Sequence, residues 1–506
     1  MREIISDILS LGIRVPADII GRQGGAGPSE GRALLIDGIP VNASISSPYA
    51  VLSPYSLQKG PNGYSLCRDG VTIVPVALVP EPAFYSKQTQ EGVDYRKIAL
   101  LHGSDCLATT ALQTCCHWRG AGQCVFCATE LSLKGGRTLA RKTPHQLAEV
   151  AAVAKSLDRV SHVVLTAGTA EAPGAEIAYL ARCAEAVKKA SGLPVHVQFA
   201  PPADLTLMDA LYHAGVDTVG IHIECFDAAT LARAAPAKAS IGLAQYRKAW
   251  QRAVSLFGPN QVSSFLIAGL GEPVSSLLLG SELLADMGVY PFVVPLRPVP
   301  GTRIETLRPP SPSEIQPVYE AVAAIIQQKG LASANCKAGC VRCGACSALN
   351  AYERPAADIV YHSARTAAEI EAAMAIRHAV FVCEQKIFQS TDVDAHDATC
   401  SLIVAKKGET VVGTVRVYPQ NENGHWIGGR LAVRSPYRAG NVGAQLVKEA
   451  IKHVQRKECK VFTAHIQQLN VPFFEKIGWK CIGPLEDYLG RPHQLMQADL
   501  KPEEPS

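Results

Sequence analysis

Two hydrophobic patterns alternate between residues 97 and 330. Short apolar runs rich in Val, Ile and Leu stand at 107–114, 160–167, 195–199, 218–224, 262–270 and 291–299. Longer stretches with apolar positions at helical spacing lie at 145–156, 175–190, 205–214, 243–256, 275–287 and, after the last run, 313–328. A short, continuously apolar run reads as a buried strand, and the helical spacing reads as a helix with one apolar face. Their regular alternation predicts a parallel sheet with right-handed crossovers. Six such units make an open, partial (βα)6 barrel of the TIM type rather than a closed eightfold one.

The flanking sequence changes character on both sides. Residues 1–95 are rich in Gly, Pro and Ser and predict a small β-rich cap ahead of a barrel spanning 96–330. The loop Gly24-Gly25-Ala26-Gly27-Pro28 offers backbone amides for a phosphate, but no helix pattern follows it, so a turn is the better reading. After the barrel, 331–350 is dense in cysteine, and 347–358 reads as a linker. A compositionally separate α/β domain is expected at 358–502, with a helix over 366–381 and strands at 401–405 and 410–417.

Charge and composition narrow the classes of function. The chain has 506 residues, enough for roughly three domains. Its net charge of +4 gives no electrostatic case for a nucleic-acid or membrane partner. No apolar run reaches membrane-span length and the first residues lack a signal peptide's apolar core, so a soluble, cytoplasmic protein is expected. Sixteen cysteines is high for such a protein, and several stand at ligand spacing, which points to metal rather than a disulfide framework.

The first cysteine group follows the first barrel strand. Cys124 and Cys127 form a C-x-x-C pair with Phe126 between them, and Cys115 or Cys116 lies one loop upstream. Three thiolates can hold three irons of a [4Fe–4S] cluster and leave the fourth iron open to a substrate-like ligand. The pair alone equally suits zinc, with His117 completing the set. Other strand ends carry chemistry too: Thr166-Ala167-Gly168-Thr169 after the second, Glu224 after the fourth, and Ile267-Ala268-Gly269-Leu270-Gly271-Glu272 after the fifth. The carboxyl ends of strands are where such barrels place their sites.

This region resembles a radical S-adenosylmethionine (SAM) enzyme. The resemblance implies that Cys115, Cys124 and Cys127 bind a [4Fe–4S] cluster whose free iron is chelated by SAM. It further implies that Phe126 packs near the adenine, Thr166 and Gly168 stand at the methionine-amine motif, Glu224 meets a ribose hydroxyl and Gly269 lines the cofactor. The fifth-strand motif is similar to that of the biotin-synthase-like branch. The spacing differs: eight residues separate Cys115 from Cys124, where the superfamily commonly has three. More specifically, the first 350 or so residues resemble a bacterial family encoded beside nitrilases and acetyltransferases in clusters linked to nitrogen starvation.

Cys336, Cys340, Cys343 and Cys346 can saturate a metal completely. A four-thiolate zinc knot and an auxiliary [4Fe–4S] cluster both suit them, and the short spacings favour iron–sulfur. Further on, 430–447 reads as an apolar strand, a Gly-containing turn and an amphipathic helix, a geometry that aims backbone amides at a pyrophosphate. With 470–479 it resembles a GNAT acetyltransferase. That resemblance implies acetyl-CoA binding by Arg438, Ala439, Gly440, Asn441, Val442, Gly443 and Ala444, with Asn441 replacing the usual first glycine. Phe473 and Phe474 stand where the family often has a proton-donating tyrosine. Glu384, Asp394, His396 and Asp397 are candidate bases, Glu384 and Asp397 being the ones carried forward as catalytic.

The expected function is bifunctional. Radical SAM chemistry on a small molecule, fed by an external electron donor such as flavodoxin or ferredoxin, is coupled to acetyl-CoA-dependent N-acetylation. The rival from another class is tRNA modification like that of the Elongator catalytic subunit, which joins the same two domains. The near-neutral charge and the lack of a dense Lys/Arg run argue against it. A zinc-stabilised scaffold with inactive sites is the third possibility, and metal analysis separates it.

Overall fold

The computed structural model describes residues 1–22, 30–61, 63–354, 359–438, 442–488 and 490–500. The Gly24–Pro28 turn therefore lies outside the described residues, as do Ala439, Gly440 and Asn441. The chain divides into two units, Met1–Pro355 and Ala356–Ser506.

In the first unit the six apolar runs form six parallel strands: β7 (Cys106–Leu112), β8 (His162–Ala167), β9 (Val195–Gln198), β10 (Thr218–Gly220), β11 (Val262–Ala268) and β12 (Val289–Pro295). They lie side by side in chain order, with the short β6 (Leu100–His102) antiparallel on the β7 edge. The intervening helices are Pro144–Asp158, Ala175–Ser191, Leu207–His213, Leu243–Phe257, Val274–Asp286 and Pro312–Gln328. This is the expected partial barrel.

Side chains alternate across each strand. Leu107, Val163, Leu165, Val195, Val197 and Val219 face the helices in the main core, where each fully buried aliphatic contributes about 1.5–3 kcal/mol. The opposite face is different. Cys106 pairs in register with His162, Val164 with His196, His196 with Thr218, and Thr110 with Thr166, which pairs with Gln198. A largely polar face therefore lines the inside of what reads in sequence as a row of apolar strands.

Two segments close the gap left by the missing barrel strands. The short helix Gly339–Cys343 covers the amino-terminal ends of the strands: Gly339 N–H donates to His162 Nδ1 at 3.2 Å and Thr218 Oγ1 to the Ala338 carbonyl at 3.3 Å. The chain then reaches the free edge of β12, where Ser347 Oγ donates to the Val293 carbonyl at 2.5 Å. An antiparallel sheet of β1 (Arg32–Ile36), β2 (Ile39–Ala43), β3 (Tyr55–Gly60), β4 (Gly63–Arg68) and β5 (Val71–Leu78), ordered β2-β1-β5-β4-β3, packs outside it. Asn42 N–H donates to the Ala345 carbonyl at 2.7 Å. The segments expected as cap, barrel and four-cysteine stretch thus share one apolar core, running from Ile5 in helix Arg2–Leu11 through Val163 to Tyr352.

The second unit is a seven-stranded sheet ordered β13-β14-β15-β16-β17-β19-β18. Its strands are β13 (Ile359–Ser363), β14 (Ser401–Lys407), β15 (Thr410–Pro419), β16 (His425–Val433), β17 (Val461–Gln467), β18 (Trp479–Tyr488) and β19 (Arg491–Ala498). Alternation in β14 sends Ile403 and Ala405 into a core with helix Val442–Gln455, and Leu402 and Val404 into another with helix Ala367–His378. Thr366 and Glu369 cap the latter helix reciprocally. The β16–β17 pair is the parallel one, and it pairs only from His425/Val461 to Gly428/Ala464. Beyond Gly428 the two strands separate.

Candidate functional site

The loop after β7 carries the first thiol group to the carboxyl-terminal mouth of the barrel. Its backbone is tied down on several sides. Cys116 N–H donates to the Thr169 carbonyl and Val125 N–H to the Ala234 carbonyl, both at 2.9 Å. Cys115 N–H donates to Glu130 Oε1 at 3.1 Å. Gly168 permits this crowding: a Cβ there would lie 2.1 Å from the Thr114 carbonyl oxygen and 3.0 Å from Cys115 Cα.

Cys115, Cys124 and Cys127 act on one another electrostatically; Cys116 is exposed and feels Cys115, Glu176 and Glu171. Burial pushes the Cys124 thiol up to about 11, opposed by the Lys238 ammonium. Burial also raises Cys127, opposed by Thr129, whose Oγ1 is 3.0 Å from its sulfur. Lys238 Nζ donates to Glu224 Oε1 at 2.6 Å and to the His222 carbonyl at 2.7 Å. Burial lowers a lysine, but the Glu224 carboxylate, with Tyr246 and Cys124, more than offsets it and keeps Lys238 charged. Glu224 stands at the barrel mouth with a positive φ of 72°, engaged by a cation beside the Cys124 thiol. Sequence reasoning missed Lys238; nothing local marks it, because only the fold brings it to Cys124.

Phe126 packs with Ile267, Leu296 and Ile304. Thr166 Oγ1 donates to Thr110 Oγ1 at 2.8 Å on the inner face. Gly269 has a φ of 104°, and a Cβ there would meet Pro310 Cδ at 3.0 Å. His222 accepts the Phe265 N–H at Nδ1 (3.2 Å), so its proton is on Nε2, which is buried without a partner.

The second thiol group sits at the other end of the barrel. Cys340 Sγ is 3.3 Å from Gln198 Nε2 on the inner face, Cys336 Sγ 3.2 Å from the Ala338 carbonyl, and Cys346 Sγ 3.2 Å from His102 Nε2. Cys343 packs against Cys106, Ala108 and Val164. Among the described residues no three His, Cys, Asp or Glu side chains converge as ligands of a single ion. A cubane does not require that, since each of its thiolates binds its own iron. Buried, neighbouring thiols with raised pKa values are a donor set that metal binding deprotonates.

In the second unit the parting of β16 and β17 opens a cleft. Arg430, with a φ of 55°, lies at a β-bulge in β16 and lines it, as do His465, Gln467, Tyr488 and His493. His493 Nδ1 donates to the Arg491 carbonyl at 2.9 Å, which leaves the lone pair on Nε2. Of the expected acetyl-CoA residues, Val442 and Ala444 bury their side chains in the core, so only their backbone is free for a ligand. Gly443 is open, its nearest neighbour being Phe473 Cζ at 3.7 Å from a built Cβ. Arg438 forms a two-pronged ion pair with Glu384, which holds that carboxyl below its usual range.

Asp397 sits in a network of ion pairs. Burial pushes its carboxyl up, but the Arg377 guanidinium, the Asp394 N–H and Arg416 outweigh this and hold it far below the usual range. Arg377 is fully buried and also binds Asp392 at 2.7 Å; Arg416 binds Asp394 at 2.6 Å. A carboxylate clamped this way resists protonation at neutral pH. Neither Asp397 nor Glu384 lines the cleft.

A parallel partial barrel with thiols at its carboxyl-terminal mouth, followed by a sheet with a splayed parallel pair, defines an enzyme of two catalytic units. Residues 111–278 match the radical SAM superfamily, and residues 370–479 match the acetyltransferase (GNAT) family. The second unit belongs to the GNAT family, and the first unit carries a match to the radical SAM superfamily over residues 111–278. It is 30% identical over 125 residues to the bacteriochlorophyllide c C-7(1)-hydroxylase of Chlorobaculum limnaeum, a match covering 24% of this chain and only 31% of that one. It is 30% identical over 133 residues to a Bacillus subtilis (strain 168) protein bearing an acetyltransferase name, covering 25% of this chain and 88% of that one. Among solved structures, Escherichia coli ElaA matches at 21% identity and a TM-score of 0.26, over 28% of this chain and all (100%) of that one. The radical SAM match implies a [4Fe–4S] cluster, SAM and a one-electron donor, and GNAT membership implies acetyl-CoA. No helix among the described residues is long and apolar enough to cross a membrane.

Proposed function

We propose that this enzyme performs radical SAM chemistry on a small molecule and transfers an acetyl group from acetyl-CoA to an amine on the same pathway. The observation that carries the first half is the shared electrostatic neighbourhood of Cys115, Cys124 and Cys127 beside Lys238. These three residues would hold the cluster, which with SAM supplies a 5′-deoxyadenosyl radical. Lys238 offsets thiolate charge at Cys124. Phe126 packs beside the adenine, Thr166 and Gly168 present backbone to the methionine end, Glu224 faces the ribose, and Gly269 leaves room at the fifth strand. Cys336, Cys340, Cys343 and Cys346 would hold an auxiliary [4Fe–4S] cluster with every position filled.

In the second unit, acetyl-CoA lies in the cleft with its pyrophosphate against the backbone from Arg438 to Ala444, at the helix N-terminus. His493, with a free Nε2 lone pair in that cleft, is the proton acceptor we favour over Glu384 and Asp397. A tRNA substrate is disfavoured by the near-neutral charge of +4.

The test is anaerobic reconstitution with iron and sulfide, followed by counting 5′-deoxyadenosine after reduction. Cys124→Ala and Cys127→Ala each abolish its formation, and Cys115→Ala does so while Cys116→Ala does not. Unchanged turnover in Cys124→Ala or Cys127→Ala refutes the cluster assignment.

A further inference from the structure

The auxiliary cysteines do not explain the charge gathered around them. Arg22 Nη1 stands 2.5 Å from His102 Nδ1, and His102 Nε2 stands 3.2 Å from Cys346 Sγ. A guanidinium only donates, so Nδ1 accepts and the ring's one proton is on Nε2, directed at sulfur. From another side, the Arg297 guanidinium and the Asn42 side-chain amide act on the same sulfur. Arg297 Nη2 donates to the Asn42 carbonyl at 2.6 Å, while Arg297 Nη1 is buried without a partner. Arg22 reaches Cys343 and Cys106 as well as Cys346. The described residues give Arg297 no carboxylate.

A neutral thiol gives Arg297 little to bind, and a desolvated cation is costly unless an anion faces it. A four-thiolate iron–sulfur centre is such an anion. It is net negative when oxidised and more so after gaining an electron, and its potential rises with nearby positive charge and with hydrogen bonds to its sulfurs. We propose that His102, Arg297 and Asn42, with Arg22 behind His102, are the built counter-charge of an auxiliary iron–sulfur centre at Cys346 and raise its reduction potential. They are positioning residues, and the proposal rests on reading Cys336–Cys346 as cluster ligands.

The step they favour adds one electron from a low-potential donor to the cluster, with no bond made or broken. Gln198 ties Cys340 to the inner face at the level of Thr166.

The experiment is a dithionite redox titration of the full chain carrying Cys124→Ala and Cys127→Ala, so that only the auxiliary signal is read by electron paramagnetic resonance. His102→Leu and Arg297→Gln each lower the reduced-to-oxidised ratio at fixed potential about tenfold, ~59 mV for one electron. Arg297→Lys and His102→Gln, which keep a charge or a donor, stay near the parent value. If His102→Leu does not assemble a cluster, Arg297→Gln and Asn42→Leu carry the test. Unshifted potentials at full iron content overturn the inference. Zinc in place of iron, with no auxiliary signal in the parent, overturns instead the ligand reading beneath it.

Discussion

Replacing Gly168 with alanine adds one methyl group between the second strand's end and the thiol loop. That methyl would stand 2.1 Å from the Thr114 carbonyl oxygen, 2.7 Å from its carbon and 3.0 Å from Cys115 Cα. All three are backbone, so no side chain can swing aside. Ordinary contact begins at 3.4 Å, so the two strand ends must part by about 1.3 Å. Gly168 is not among the glycines with a left-handed backbone, so alanine meets no conformational penalty and the effect is steric alone. The loop cannot give way freely either, because Gly168 N–H binds the Leu112 carbonyl and Cys116 N–H the Thr169 carbonyl, each at 2.9 Å. The strain therefore falls on Cys115. Overpacking of this kind costs about 1–3 kcal/mol of stability, and a displacement near 1 Å at a reacting site lowers the rate on the order of 10²-fold. The assay is 5′-deoxyadenosine formation by anaerobically reconstituted protein, with iron counted in the same sample. Gly443→Ala, whose new methyl has no neighbour nearer than 3.7 Å, is the matched control and leaves that rate unchanged. A Gly168→Ala enzyme with full iron and a rate within about twofold of wild type would show that the crowding does not position the loop.

Three further outcomes are expected. Burial pulls the Lys142 ammonium down to about 7 while it donates to Thr110 O and Gln113 Oε1 at 2.7 Å; the unfolded chain binds more protons above that value, so stability rises from about pH 7 to pH 10. Urea titrations across that range should lose this slope in Lys142→Met, and an unchanged slope rejects the assignment. Arg377→Met strands Asp392 and Asp397 without their buried cation and costs about 3–5 kcal/mol. Asp397 is held below its unfolded value, so its contribution is present above about pH 4 and fades as pH falls further; fluorescence of Trp426 and Trp479 during acid titration reads it, and a variant as acid-sensitive as wild type counts against the clamp. Gly443→Val weakens acetyl-CoA binding in calorimetry while 5′-deoxyadenosine formation continues; equal binding would remove this turn from the cofactor site.

The alternation of strand and helix was legible because periodicity is local: the apolar run at 262–270 became β11, and the helical spacing at 175–190 became Ala175–Ser191, each set by residues a few positions apart. The C-x-x-C pair and the strand and helix at the two ends of 430–447, His425–Val433 and Val442–Gln455, were legible for the same reason. What faces what was not. His162, His196, Thr218 and Gln198 sit inside runs that read as apolar, and only the register of neighbouring strands gathers them on one inner face. Nothing near Asp397 in sequence reveals that Arg377 and Arg416 clamp it, since those partners lie on a helix and another strand. Likewise Lys238 meets Cys124, and His102 meets Cys346, across 114 and 244 positions of chain. Local sequence determines which elements form, because their hydrogen bonds and apolar faces are short-range. The chemistry at these sites depends on charge and desolvation between residues that only the packed fold makes neighbours.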